Sequence, residues 1–214
     1  MKRYMCTILL VWGMSLAWVN AQEATPLQLP PPQTDIGKPL MQTLKLRQSA
    51  RTFDTKALPL QELSNLLWAG FGINRPDAGK RTAPSAMNWQ EIDIYVALPG
   101  ALYLYDAKTN TLKLVVSKDL RDATGRQPFV KDAPVTFVYV ADAAKMKNAS
   151  EEDKTLFGAA DAGFIAQNVY LYCASQGLAV VIRGMIDRPS LAKEMKLRPE
   201  QRILLAQTIG YPKP

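Results

Sequence analysis

The sequence predicts an α+β domain built on a central, mainly antiparallel sheet flanked by helices. Three observations carry that reading. Strand-like runs at Ile92 to Val96, Ala101 to Tyr105 and Thr111 to Val116 follow one another across tight turns, as only antiparallel neighbours can. Helical periodicities bracket these runs instead of alternating strictly with them. The chain of 214 residues, 48% hydrophobic, is long and apolar enough for one sizeable core.

Taken in order, Lys2 and Arg3 precede the apolar run Thr7 to Val19 and the small-residue site Val19-Asn20-Ala21, the pattern of a secretory signal spanning residues 1–21. The run is too short to cross a bilayer, and Cys6 lies too early to be a lipid-modified cysteine. The expected mature protein is exported, to a periplasmic or extracellular location, with no stable membrane insertion. Residues 22–36, QEATPLQLPPPQTDI, hold four prolines and no apolar period, which predicts an extended arm able to wrap a partner subunit. A single domain is expected over residues 37–214.

Within that domain, Leu40, Met41 and Leu44 share a helical face, and a second helix starts at Pro59, carries Leu60, Leu63, Leu66 and Leu67, and stops at Gly70 and Gly72. Ile92, Ile94 and Val96 alternate with Glu91, Asp93 and Tyr95, the pattern of a half-buried strand. Pro99-Gly100 and Lys108-Thr109-Asn110 mark hairpin turns. Val135 to Val140 reads as a further strand. A long helix begins near Ser150, with Asp153 completing a capping box, and ends at Gly177. The strand LAVVIR (178–183), a short helix near Pro189 to Met195 and a last strand Ile203 to Ile209 complete the domain.

The chain contains no histidine, which removes Ser-His-Asp and Cys-His nucleophile systems and His-based zinc sites together. Without the signal only Cys173 remains, so no intramolecular disulfide and no cysteine-pair metal site can form, and a lone thiol on a helix reads as core filler. The formal net charge of +7 falls to +5 once Lys2 and Arg3 leave. That balance suits an anionic ligand, but its dispersion, with no basic block interleaved with aromatics, excludes a nucleic-acid reader. GFGINR (70–75) has Arg75 where the third glycine of a dinucleotide fingerprint belongs.

Three stretches could carry chemistry. In LRQSARTF (46–53), Arg47, Ser49 and Arg51 either grip a phosphate or simply close the first helix as solvated cations. In RTAPSAMNWQEIDIYVA (81–97), Pro84 and Ser85 shape a turn while Asn88 and Gln90 present amides; these suit a nucleotide-like cofactor or satisfy their own loop backbone. Arg183-Gly184 ends an apolar strand, where the missing side chain opens the backbone to a flat ring and the arginine offers charge, or forms an ordinary turn.

The ordered set resembles the FMN-dependent nitroreductase-like family over about Gly37 to Pro212. A helix ends in R-x-S-x-R-x-F, carried by Arg47, Ser49, Arg51 and Phe53, with Gln48 at an often basic position. A P-S-x-x-N-x-Q segment runs into a strand at Pro84, Ser85, Asn88 and Gln90. Gly163, Gln167 and Asn168 lie on the long helix, a strand ends at Arg183-Gly184, and Gly210-Tyr211-Pro212 closes the set. LSNLLWAGFGINR and the YLYD hairpin look most like the branch of SagB-type dehydrogenases and thiazoline or oxazoline oxidases.

The resemblance implies a nitroreductase-like fold, an intertwined homodimer with FMN at the subunit interface, and a small-molecule substrate. The cofactor-binding set it implies is Arg47, Gln48, Ser49, Arg51, Pro84, Ser85, Asn88, Gln90, Arg183 and Gly184, with Lys213 standing in for a further basic contact that the family makes beyond G-Y-P. No catalytic side chain and no metal ligand are expected, because the flavin carries the chemistry. The signal lacks a twin arginine, so FMN is expected to be acquired outside the cytoplasm and the electron donor to be other than a free nicotinamide. The competing reading is an FMN carrier or a non-catalytic dimeric binding module of the cell envelope on the same scaffold.

Overall fold

The computed structural model describes residues 25–213; the segment 1–21, expected from the sequence to be a secretory signal, lies outside them. Four helices, α1 (Leu40–Leu46), α2 (Leu60–Phe71), α3 (Glu151–Gln176) and α4 (Arg188–Glu194), surround one large sheet. The strands are β1 (Leu27–Gln28), β2 (Ile73–Arg75), β3 (Lys80–Arg81), β4 (Ile92–Leu98), β5 (Ala101–Asp106), β6 (Thr111–Val116), β7 (Val135–Asp142), β8 (Ala179–Arg183) and β9 (Gln201–Gly210). Seven of them form the sheet in the order β1-β6-β5-β4-β7-β9-β8, and every adjacent pair is antiparallel. A separate two-stranded ribbon joins β2 to β3.

The predicted elements form where local chemistry favours them. Gly100, at φ 85°, makes the tight turn that returns β4 onto β5 with Val96 opposite Tyr103. Ser150 caps α3 by accepting the Asp153 N–H, and Gly177 ends it in the left-handed conformation at φ 74°.

One sheet face carries α2 and α3: Leu66, Leu67, Phe71, Ile165, Val169 and Cys173 pack with Ile94, Val96, Phe137 and Tyr139. The other face buries Tyr95, Val138, Val140 and Ala206 under Leu191 and Met195 at α4, with Leu120 and Ile186. The half-buried reading of β4 therefore needs correction. Tyr95 and Ala97 are as enclosed as Ile94 and Val96, because both sheet faces are covered, and Glu91 just before the strand is fully buried.

Two further differences have physical causes. Within the proline-rich segment, residues 27–33 dock on their own chain. Leu27 pairs opposite Leu112, Leu29 is 2% exposed, Ser64 donates to the Pro30 carbonyl, and the Gln33 N–H donates to Asn65 Oδ1 at 2.8 Å. Prolines supply acceptors there without leaving donors to satisfy. In α1 it is Thr43 that turns inward, while Leu40 (62%) and Met41 (76%) face outward with Leu44. A seven-residue helix held at its ends by the flanking chain need not turn its apolar stripe to its own core.

Candidate functional site

The turn after α1 is built on Tyr170 of α3. Tyr170 Oη accepts the Ile182 N–H of β8 at 2.9 Å and hydrogen-bonds Ser49 Oγ at 2.8 Å. The Arg47 guanidinium lies over the same ring, 5.4 Å from its centre, and the Ala50 N–H donates to the Val180 carbonyl at 2.9 Å. Because β8 is the sheet's outer strand, its free edge is what the 47–51 turn covers. Arg51 stands exposed, and among the described residues neither Arg47 nor Arg51 is paired with a carboxylate.

Beside this turn lies a cleft of about 370 Å³, with Leu46, Gln48 and Ala50 on one wall, Gly177 to Val180 on another, and Lys38 and Pro212 at its margin. Pro212 is placed by its bridge to Phe53 and by the Asp54 N–H on the Tyr211 carbonyl, so exposed Lys213 follows directly at that margin. The sequence motif did not include Tyr170. Its only sequence signal is position, one residue after the inward-facing Val169 on a helix whose next turn carries Cys173.

A second cleft, about 300 Å³, lies between the β2–β3 ribbon and the 84–90 loop. Arg75, Lys80 and Arg81 line it together with Pro84, Ser85, Asn88 and Gln90. Arg81 Nε donates to Gln90 Oε1 at 2.8 Å, its Nη1 to the Phe71 carbonyl at 2.9 Å, and its guanidinium stacks 4.8 Å over the Phe71 ring. Gln90 Nε2 reaches the Gly79 carbonyl and Asn88 Oδ1, and the Gln90 N–H donates to Ser85 Oγ at 2.8 Å. Met87 (φ 50°), Asn88 (φ 57°) and Gln90 (φ 50°) all adopt left-handed backbone, a conformation rarely taken by residues with a Cβ.

The structure places the third predicted group differently from expectation. Arg183 is 4% exposed and its side chain turns under the sheet: Nε donates to Thr208 Oγ1 at 3.0 Å, Nη1 to the Thr124 carbonyl at 2.9 Å and Nη2 to Thr124 Oγ1 at 3.2 Å. Burial lowers its pKa to about 10, so it stays charged at neutral pH while its charge is spent internally. The Arg183 side chain is thus corrected from ligand contact to structural tie, and only the exposed backbone at Gly184 remains open.

The 47–51 turn and residues 183–184 share β8, whereas the 84–90 loop precedes β4, three strands away, or about 14 Å at the usual inter-strand spacing. Along α3, the loop's anchor Asp161 and the turn's anchor Tyr170 are nine residues apart, about 13.5 Å of helix rise. The two clefts are therefore separate within one chain. Glu91 and Asp161, both buried behind the second, were not singled out in the sequence, because strand alternation assigns Glu91 to the solvent side.

Fold and clefts together define a class: an antiparallel α+β protein with one mostly apolar cleft and one basic, amide-lined cleft. The comparisons agree, and the chain belongs to the nitroreductase family, whose sequence profile matches residues 44–211. A crystal structure of a Ralstonia eutropha JMP134 protein assigned as a nitroreductase is 46% identical, covers 88% of this chain and 90% of that one, and superposes with a TM-score of 0.85. A Methanocaldococcus jannaschii protein assigned as a nitroreductase is 25% identical over 74% of this chain and 85% of its own length. The fold is also shared with a chain of the Escherichia coli microcin synthetase McbBCD complex, at 16% identity and a TM-score of 0.69 over 95% of this chain and 85% of that one. The chain is an oxidoreductase of the nitroreductase family, a group of flavin-dependent, commonly dimeric proteins acting on small molecules.

Proposed function

We propose that the protein is an exported, FMN-dependent oxidoreductase that moves a hydride or electrons to or from a small organic substrate. The observation that carries this is the pairing of an uncompensated arginine turn with a mostly apolar cleft. Arg47 and Arg51, unpaired with carboxylates among the described residues, alternate along the turn with Leu46, Gln48 and Ala50, which line the cleft together with Ala179 and Val180. That donor set fits FMN: guanidinium for phosphate, amide for the ring edge, apolar strand for the ring face. Arg47, Gln48, Ser49, Arg51, the Gly184 backbone and Lys213 would hold the cofactor from one side. Bound FMN supplies the redox chemistry, and the protein supplies binding and orientation.

Pro84, Ser85, Asn88 and Gln90 lie too far from this cleft to join it within one chain, so a homodimer is the arrangement that would complete the site. Leu40, Met41 and Leu44 on α1, with Leu156 and Phe164 on α3, form exposed apolar surface suited to such an interface. Export rests on the N-terminal pattern, and with it the expectation of an electron donor other than free NADH or NADPH. Affinity to SagB-type dehydrogenases rests on LSNLLWAGFGINR and the YLYD hairpin.

The test is to purify the protein without added flavin and record its visible spectrum before and after incubation with FMN and dialysis. A retained flavin band that bleaches with dithionite and returns in air supports the oxidoreductase. Stoichiometric FMN that cannot be reversibly reduced points to a carrier, and no retained flavin removes the cofactor reading. Fast oxidation of NADH or NADPH by the purified protein would overturn the donor assignment.

A further inference from the structure

Behind the 84–90 loop two carboxyl groups face each other in the protein interior. Glu91 is 0% exposed and Asp161 on α3 is 2% exposed. Glu91 Oε2 accepts the Ser85 hydroxyl at 3.1 Å, and Asp161 Oδ2 accepts the Ala86 N–H at 2.9 Å. Asp161 acts on Glu91 as a neighbouring like charge, and Glu91 Oε1 has no hydrogen-bond partner among the described residues. Two ionised carboxylates cannot satisfy one another, whereas a single proton between them supplies the missing donor and halves the buried charge.

The surrounding charges offer no substitute for that proton. Asp142 of β7, whose N–H holds the Glu91 carbonyl at 3.0 Å, has its own carboxylate on Arg198. Asp93 of β4 is paired with Lys145. Arg81 of β3 is turned to Gln90 and the Phe71 carbonyl, and Lys154 of α3 pairs with Glu151. Ser85 can only hydrogen-bond.

We infer that Glu91 and Asp161 share one proton, and that the protonated pair is the positioning device that fastens residues 84–90 in their left-handed conformation. The geometry gives it that leverage. Glu91 holds the Ser85 hydroxyl, which in turn holds the Gln90 N–H, while Asp161 holds the Ala86 N–H. The pair thus grips the loop on both sides of Met87, Asn88 and Gln90, and left-handed backbone at such residues persists only where the surroundings over-determine it. Burial, with Asp161 as a like charge alongside, raises the Glu91 pKa to about 7. Each carboxylate still accepts its loop donor when ionised, but once the proton leaves, two adjacent buried like charges repel and pull the Ser85 and Ala86 anchors apart. The fastening is therefore tight below neutral pH and loosens above it. In a chain without histidine, this places a titrating group near neutrality directly behind Ser85 and Gln90.

The consequence for a ligand rests on the reading of this loop as a cofactor contact; the shared proton does not. The experiment therefore has two parts. Infrared spectra of the purified protein should show a protonated carboxylic-acid carbonyl at one pH unit below neutrality that fades through about pH 7. The band should be absent in Glu91→Gln and in Asp161→Asn. In NMR spectra the Ala86 and Gln90 amides should titrate with the same midpoint, and in Glu91→Gln, whose amide donates permanently to Asp161, they should not. A missing band, a band surviving both variants, or Ala86 and Gln90 amides that do not titrate in the unmodified protein overturns the inference, the last without needing any variant to fold.

FMN titrations form the second part. Affinity should fall at least threefold from one pH unit below the transition to one unit above it in the unmodified protein, and stay level in Glu91→Gln. Equal affinity on both sides overturns the fastening role. If FMN binds at no pH while the band and the amide titration are present, the cofactor reading fails and the proton-sharing pair stands.

Discussion

Replacing Gly125 by alanine isolates the structural role of Arg183. Gly125 sits at φ −179°, ψ 161°, extended backbone that alanine adopts freely, so any cost is steric. A Cβ there would lie 1.8 Å from Arg183 Nη1, and to reach ordinary contact at 3.4 Å the guanidinium must move by about 1.6 Å. The bonds from Nη1 and Nη2 to Thr124, at 2.9 and 3.2 Å, cannot survive that shift. Each hydrogen bond to a charged group contributes about 1.5–3 kcal/mol, and a buried charge left underbonded is costly, which together give about 3–5 kcal/mol for Gly125→Ala. For a chain of this size that lowers Tm by about 6–20 °C. Urea and thermal unfolding of Gly125→Ala, Arg183→Met and the double variant measure it. In the Arg183→Met background the alanine meets no guanidinium and only the Gln127 Oε1 end of a flexible side chain, at 2.9 Å, so its cost should fall to about 1 kcal/mol or less. An equal cost in both backgrounds, or a negligible one in the parent, refutes the assignment of Arg183 as an internal tie.

Tyr170→Phe keeps the ring under Arg47 but strands the part-buried Ile182 N–H and frees Ser49; a loss of about 1 kcal/mol in unfolding free energy is expected, with weaker FMN retention on dialysis. Glu91 has its folded pKa raised to about 7 from 4.5, so the folded state binds its proton more tightly than the unfolded chain does. That stabilisation is fully present below about pH 4.5 and lost as pH rises through about 7, and Tm against pH in the parent and in Glu91→Gln should differ across that window, the variant being flatter. Arg51→Ala, at an exposed position without a carboxylate partner, should weaken FMN binding several-fold while moving Tm without ligand by less than about 1 °C, the expectation for a surface site; unchanged affinity in an FMN titration would remove Arg51 from the proposed phosphate grip.

Much of the fold is legible along the chain because its signals are local. Ser150 with Asp153, Gly177 and Gly100 announce their caps and turns through side-chain chemistry within three or four residues, and α3 and the β4–β5–β6 meander follow. The alternation at Ile92 to Val96 locates β4 but misjudges its surroundings, since a period of two cannot say that a second layer, with Leu191 and Met195, covers the other face. Likewise the stripe Leu40, Met41 and Leu44 identifies a helix without saying which way it turns. The β2–β3 ribbon went unread, being only a few residues long and carrying no alternation.

By itself the sequence determined the α+β class, the order of its principal elements, the family, and the three stretches in which a cofactor site was to be sought. Those depend on periodicity, capping and ordered short motifs, all contained within a few turns of chain. Tertiary structure alone decided that the Arg183 guanidinium is spent on Thr124 and Thr208, that Tyr170 organises the 47–51 turn, that the 84–90 loop belongs to a second cleft, and that Glu91 meets Asp161 seventy residues away in sequence. Side-chain direction and burial are properties of packing between distant segments, and a carboxylate that reads as solvent-facing along a strand becomes a proton-holding group only when another element closes over it.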